Sequence, residues 1–520
     1  MKINKIMNRR WFLSILIALI IIYPELGFGQ KQESDKPNIV YILADDLGYG
    51  ELGEYGQEKI ETPNIDALAQ NGMKFTQHYS GSPVCAPSRY MLMTGKHPGN
   101  AYVRGNDAMT ERGDVWNFEA MDEHPELEGN VPIPSETITI AEILKKANYQ
   151  TALIGKWGLG MPFTDGVPNK QGFDFFYGYI CQRQAHTYYP THLWRNAERE
   201  YLKNELIDPK QALSDYMDPH APENYARFQE QPDYSAELMG QEALNFIQNN
   251  RNNPFFLYFA TPLPHVSLQA PKRWVDYYRK KFGNEDPYLG GDYAPNQYPR
   301  ATYAAMISYL DEQVGEIVRK LKELDIYDKT LIIFTSDNGP SNCCGVDVDY
   351  FDSAAPFMNK RGRVKGSVYE GGIRVPMIAT WEGQIAAGST TDHISAFWDV
   401  MPTLCEIVGI VPPEDIDGIS FLPILKGYLS SQKQHEHLYW EFPASGGLQA
   451  VRMGKWKGVR RDIMSEQNLD IELYDIEEDI REKNNVASQY PEVLNKIREI
   501  MEREHTVPEL ERFHMKALGD

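Results

Sequence analysis

Three short clusters in this 520-residue chain have residue types and spacing that can do chemistry. Asp45 and Asp46 end an apolar run, and Asp337 and Asn338 sit far downstream in Ser336-Asp337-Asn338-Gly339. Three carboxylates and an amide brought to one place repel one another unless a cation holds them. An all-oxygen donor set favours Ca2+, or Mg2+, over zinc. Taken singly, each cluster would also serve as a helix cap or a turn. The third cluster is Cys85-Ala86-Pro87-Ser88-Arg89. Pro87 can open a helix whose unpaired N–H groups and dipole face the Cys85 side chain, while Arg89 adds a fixed positive charge. Those surroundings suit a low-pKa, reactive cysteine or an anion site. A cysteine simply buried ahead of a helix is the plainer alternative.

The elements that must bring these clusters together read as alternating strands and helices. Asn38–Ala44 is almost continuously apolar, as in a strand buried on both faces, and segments 151–154, 255–259 and 330–335 have the same character. Helical spacing joins Ile65, Leu68 and Ala69 between a Thr62-Pro63 start and a Gly72 stop. It also joins Ile140, Ile143, Leu144 and Ala147, and again Met306, Leu310, Val314, Ile317 and Leu321. The alternation predicts an α/β fold with a doubly wound, mostly parallel sheet flanked by helices. Ligands of such sheets bind at the carboxyl ends of the strands, where both acidic clusters fall, and this favours the metal reading over two unrelated caps. Residues 182–233 are rich in Tyr, Pro, His and acids and weakly periodic, which predicts a long decoration beside the site. After residue 425 short strand-like pieces (437–441, 450–453, 456–460, 471–474) precede a helix at 492–503. The expected domains are therefore a catalytic domain over 36–425 and a smaller α+β one over 426–520.

Cys85-x-Pro87-Ser88-Arg89 followed by Met93-Thr94-Gly95-Lys96 closely resembles the signature of type I sulfatases, members of the alkaline phosphatase superfamily. The resemblance runs on in the family's order. It takes in Asp45-Asp46, Gly155-Lys156-Trp157-Gly158-Leu159-Gly160, Pro264-His265, the Ser336 to Gly339 stretch, Lys365-Gly366-Ser367-Val368-Tyr369-Glu370-Gly371-Gly372 and Glu472-Leu473-Tyr474-Asp475. It implies that Cys85 is oxidised by a formylglycine-generating or radical maturase to formylglycine (3-oxoalanine), whose hydrate attacks sulfur. It implies one Ca2+ held by Asp45, Asp46, Asp337, Asn338 and the modified Cys85, with Arg89 steadying the formylglycine. Lys156 and Lys365 resemble the sulfate-binding lysines, and His265 the histidine at the ester oxygen, able to protonate the leaving alcohol. The sequence departs from the family at Gly158, where members commonly carry a histidine implicated in sulfate release. His186, His192 or Asp337 are candidates for that role.

Composition bounds the rest. Net charge is −21, which argues against a nucleic-acid binder and means that any anion site must be built locally. Five cysteines are too few for a disulfide scaffold. Lys2, Lys5, Arg9 and Arg10 precede an apolar run from Trp11 to Tyr23 and then Gly27 and Gly29, a signal peptide over 1–29 too short for an ordinary membrane span. The expectation is an exported, periplasmic or secreted protein with no stable membrane insertion after cleavage. The aromatic stretches 182–189 and 439–442 could stack on sugar faces or pack the core. The implied activity is sulfate ester hydrolysis on a sulfated carbohydrate. The alternatives are a formylglycine-dependent phosphonate or phosphate ester hydrolase and a catalytically decayed polysaccharide binder, the latter prompted by Gly158.

Overall fold

Strand β1 (Asn38–Ala44) shows why a continuous apolar run suits a central position. Its alternate side chains Val40, Ile42 and Ala44 enter one hydrophobic core and Ile39, Tyr41 and Leu43 another. The first core is closed by helices Pro63–Gln70, Ser235–Asn250, Lys272–Phe282 and Pro299–Glu323, the second by Cys85–Thr94, Ile140–Lys146 and Val400–Val408. The computed structural model describes residues 36–520, so the expected signal peptide over 1–29 lies outside the described residues. None of the helices among them is long and apolar enough to cross a membrane.

The remaining strands of the main sheet are β2 (Met73–Tyr79), β3 (Gln150–Lys156), β4 (Phe175–Tyr179), β5 (His192–Arg195), β6 (Glu198–Tyr201), β7 (Phe255–Ala260), β8 (Thr330–Ser336), β9 (Arg374–Thr380), β10 (Ser389–Thr391) and β11 (Ser395–Ala396). Their order is β10-β2-β9-β8-β1-β7-β3-β4-β5-β6, with β11 also pairing β2. The centre, β8-β1-β7-β3-β4, is parallel throughout, and helices cover both faces as expected.

Antiparallel pairs enter on both flanks, although β10 and β11 pair β2 in parallel. β9 runs against both β8 and β2. Pro376 hides this strand from a sequence reading, because proline cannot donate to a ladder. The structure accommodates it where the β2 register shifts between Phe75 and His78, and the Tyr55 hydroxyl bonds the carbonyls of Phe75 and Met377 beside the irregularity. On the other flank the expected decoration over 182–233 contributes a hairpin, β5 and β6, that extends the sheet beyond β4.

A second sheet of four antiparallel strands follows in simple order: β12 (Leu438–Phe442), β13 (Leu448–Met453), β14 (Trp456–Arg460) and β15 (Ile471–Asp475). One face packs on helix Pro491–Glu504 through Ile497, Ile500 and Met501. The other packs on Tyr79, Val368, Ile373 and Trp398 of the larger part. Tyr439, Trp440 and Phe442 are at most 3% exposed. The idea that this stretch stacks on sugars is therefore corrected: alternation along β12 drives its rings into the two cores.

Candidate active site

Because β8, β1, β7 and β3 are neighbours, residues far apart in sequence leave the sheet side by side. Asp45 and Asp46 follow β1, Asp337 and Asn338 follow β8, His265 lies in the loop after β7, and Lys156 is the last residue of β3. Loop-to-loop bonds fix the ends: Asp45 N–H donates to the Leu263 carbonyl (2.9 Å) and Asp46 N–H to Asp337 Oδ1 (3.1 Å). Lys365 arrives on a separate loop, its N–H on the Pro340 carbonyl and that of Gly366 on the Pro83 carbonyl.

The helix beneath begins at Cys85 itself, two residues earlier than Pro87 predicts, with extended Val84 as its cap. Pro87 therefore occupies the first turn, where a missing N–H costs nothing. Cys85 Sγ lies 3.2 Å from Asp45 Oδ1 and 4.0 Å from Asp46 Oδ1. Arg89, wholly buried, gives Nε and Nη2 to Asp337 Oδ2 at 3.0 and 2.9 Å and Nη1 to the Lys156 carbonyl. Lys156 Nζ reaches Asp45 Oδ2 at 2.5 Å, and Lys365 Nζ reaches Asp46 Oδ2 at 2.6 Å. His265 Nε2 stands 3.6 Å from Asp46 Oδ2. Its Nδ1 faces the Val266 carbonyl, which can only accept, so Nδ1 carries the proton.

The electrostatics follow from three carboxylates and three fixed cations in one dry place. Burial pushes the Asp45 carboxyl up, but Lys156, His265, Arg89 and Lys365 together hold it below the usual range. Asp46 is likewise held down against its burial, chiefly by Lys365. Asp337 goes the other way, to about 6, through burial and then Asp45, which outweigh Arg89. Burial and then Lys365 push His265 down to about 4, against the pull of Asp46 and Asp45. The Cys85 thiol is pushed well up by burial, Asp337 and Asp45. The low-pKa cysteine read from the helix start is thus corrected: two carboxylates and desolvation outweigh the dipole and the lysines.

Asp45, Asp46, Cys85 and His265 offer ligand atoms that all lie within 4.8 Å of one another. Asp337 is turned to Arg89, and Asn338 gives its Nδ2 to Asp46 Oδ1 at 2.7 Å. Asn338 Oδ1 is left buried without a partner, which fits a hard cation sharing this site, since such an atom is costly otherwise.

Two side chains here carried no readable signal. Ser341 Oγ donates to Asp46 Oδ2 at 2.6 Å, one loop serine among many. Gln182, three residues past β4, fills the space beside Gly158. A Cβ on Gly158 would stand 2.5 Å from Gln182 Nε2, and that buried nitrogen has no partner. Of the histidines considered for the missing role, His186 stacks on His265 with ring centroids 5.5 Å apart. His192 is committed elsewhere, to Glu128 and Asp122 at 3.1 and 3.3 Å.

Comparison with known proteins agrees in both sequence and fold. A family model described as Sulfatase matches residues 37–410, and one described as N-sulphoglucosamine sulphohydrolase, C-terminal, matches 362–506. The chain is 31% identical to human N-acetylgalactosamine-6-sulfatase over 409 residues, which is 77% of this chain and 67% of that protein. It is 28% identical to an N-acetylgalactosamine-6-O-sulfatase of Bacteroides thetaiotaomicron over 91% of this chain and 93% of that one. The crystal structure of Ps i-CgsB in complex with k-i-k-neocarrahexaose superposes with a TM-score of 0.70 at 28% identity, covering 90% of this chain and 93% of that chain.

Proposed function

The chain belongs to the sulfatase family, and from that premise we propose that it desulfates an extracellular polysaccharide or oligosaccharide. It is a sulfuric ester hydrolase. The observation that carries the site assignment is the convergence of Lys156, Lys365, Arg89 and His265 on Cys85, Asp45 and Asp46 at adjoining strand ends.

In this reading a maturase converts Cys85 to formylglycine, whose hydrated aldehyde supplies an oxygen nucleophile. Asp45, Asp46, Asn338 and Asp337, with the modified side chain, would hold Ca2+, which supplies charge stabilisation beside that nucleophile. The chain's own groups do the rest. Arg89 is immobilised by Asp337 and the Lys156 carbonyl, so it fixes the geometry around residue 85. Lys156 and Lys365 approach from two sides as ammonium charges that can follow the sulfate oxygens as charge shifts in the transition state. His265 rests neutral with Nε2 free to accept; a bound sulfate ester, being anionic, raises its pKa, so that Nε2 takes up a proton from water and then gives it to the departing alcohol. Gly158 leaves no side chain for the family's histidine role, and His186, packed on His265, is the nearer of the two histidines considered. Export to the periplasm or the medium belongs to the same proposal.

Relatives named N-acetylgalactosamine-6-sulfatase and a homologue crystallised with k-i-k-neocarrahexaose make sulfated galactose-type sugars the substrate class to try first. The test is release of inorganic sulfate from matched sulfated glycosaminoglycans and sulfated galactans by protein matured at Cys85. Turnover of at least one is expected. Full conversion of Cys85 with no sulfate released from any sulfated glycan or aryl sulfate would overturn the reading.

A further inference from the structure

A basic cavity lies outside the Cys85 cluster. A cavity of 330 Å3 on the loop that delivers Lys365 is lined by Lys360, Arg361, Arg363, Arg461 and Lys483 around Tyr369, and no carboxylate lines it. Five cations around one small cavity stand out on a chain of net charge −21. They are not all neutralised. Arg461 pairs with Glu472 at 2.8 Å, and Arg363 stacks 3.6 Å from the centroid of the Tyr369 ring while donating to the Glu482 carbonyl. Lys360, Arg361 and Lys483 have no ion pair among the described residues. Tyr369 is 2% exposed, so the floor is fixed and the stacked guanidinium keeps its orientation.

The position matters as much as the charge. Lys365, on Asp46, is only two residues beyond Arg363, a reach of at most about 7 Å, and four beyond Arg361, at most about 14 Å. Lys360 and Arg361 also line a larger cavity of 1040 Å3 that runs along Asn342 and Gly345, just past Ser341 of the site, and whose far wall carries Glu285, Asp286, Asp347 and Asp349, so only the smaller cavity is free of carboxylates. One loop therefore carries a sulfate-facing lysine at one end and unpaired cations at the other, next to open space. On an acidic molecule, long-range attraction cannot concentrate a polyanion, so a local basic cavity is where one would be gripped.

We propose that this cavity binds a second sulfate group of the same substrate chain, so that the preferred substrate is a carbohydrate carrying several sulfates. The inference rests on the sulfatase reading and adds the substrate's charge density to it.

The test compares the wild type with Arg361→Ala/Lys483→Ala, residues outside the catalytic cluster. Hydrolysis of 4-nitrophenyl sulfate is measured against dextran sulfate, uncharged dextran and sodium sulfate as inhibitors. The double variant should keep KM and kcat for the small ester, while the dextran sulfate concentration giving half inhibition rises about tenfold, the loss of two charge contacts. Sodium sulfate should inhibit both proteins alike. Unchanged inhibition by dextran sulfate would overturn the proposal, as would a change confined to sodium sulfate, which would mark a site for free sulfate. Direct binding of dextran sulfate across a salt series reads the same contacts without turnover, with a shallower salt dependence expected in the variant. If neither protein cleaves the aryl ester, release of sulfate from the glycan panel decides the sulfatase reading, while this binding readout still decides the cavity.

Discussion

At the scale of single residues, the site is a balance of charges that neighbouring groups impose on one another. Cys85 shows it best, since its helix position argues for a thiolate and burial, with its carboxylate neighbours, overrides that. A buried thiol held protonated is a poor nucleophile, consistent with a side chain that acts only after conversion to another group. Gly158 is the second instructive residue. Its φ of 81° lies in the left-handed region, and the space a side chain needs is taken by Gln182. Restoring the family's residue by Gly158→His should therefore destabilise the protein by about 1–3 kcal/mol, through backbone strain and displacement of Gln182. Adding Gln182→Ala should recover part of that loss in a thermal melt. A Gly158→His variant as stable as the wild type would show that Gln182 does not fill the position. The candidate ligands, lysines and cysteine were legible because residue types and local motifs announce them. Gln182 and Ser341 were not, because nothing local distinguishes them from other polar loop residues.

At the scale of elements, function depends on four parallel strands ending at one level. Buried strands were legible wherever the apolar run was unbroken, as in Asn38–Ala44, whose limits the structure matches residue for residue. Short or interrupted ones were not. β9 contains Pro376, and β5 and β6 have only four residues each, too few for a period to show. The carboxylates at the strand ends have a measurable consequence of their own. A cation that binds only the folded chain stabilises it by about 2.7 kcal/mol at a hundredfold excess over Kd. The melting temperature of the wild type, stripped with chelator, should rise on adding CaCl2, and that rise should vanish in Asp46→Asn. An equal rise in both proteins would place any bound cation elsewhere.

At the scale of the whole molecule, the C-terminal sheet is fastened to the larger part by a buried charge cluster as well as by its apolar face. Lys457, in β14, is wholly buried between Glu370 and Glu482, at 2.7 and 3.4 Å, and Glu370 opens the short helix after the Lys365 loop. Lys457→Ala would leave Glu482 buried without a cation and Glu370 with Arg374 alone, a loss of about 3–5 kcal/mol. Replacement by methionine should do no better, since the carboxylates would remain. Both variants should melt well below the wild type; full stability in either would mean that the apolar face alone docks the sheet. The alternation of strands and helices made this architecture legible, but the antiparallel flanks and the docking face depend on pairings between distant segments that no local pattern encodes. Everything proposed for the site passes through one chemical event at Cys85, so the most direct measurement is the mass of the tryptic peptide 75–89 from protein made in a host able to mature sulfatases. The account predicts a lighter peptide, with the CH2–SH of Cys85 replaced by an aldehyde, read as the dehydrated form or after carbonyl derivatisation because the hydrate nearly matches the thiol in mass. An intact thiol, while a control sulfatase is converted in the same cells, would contradict it.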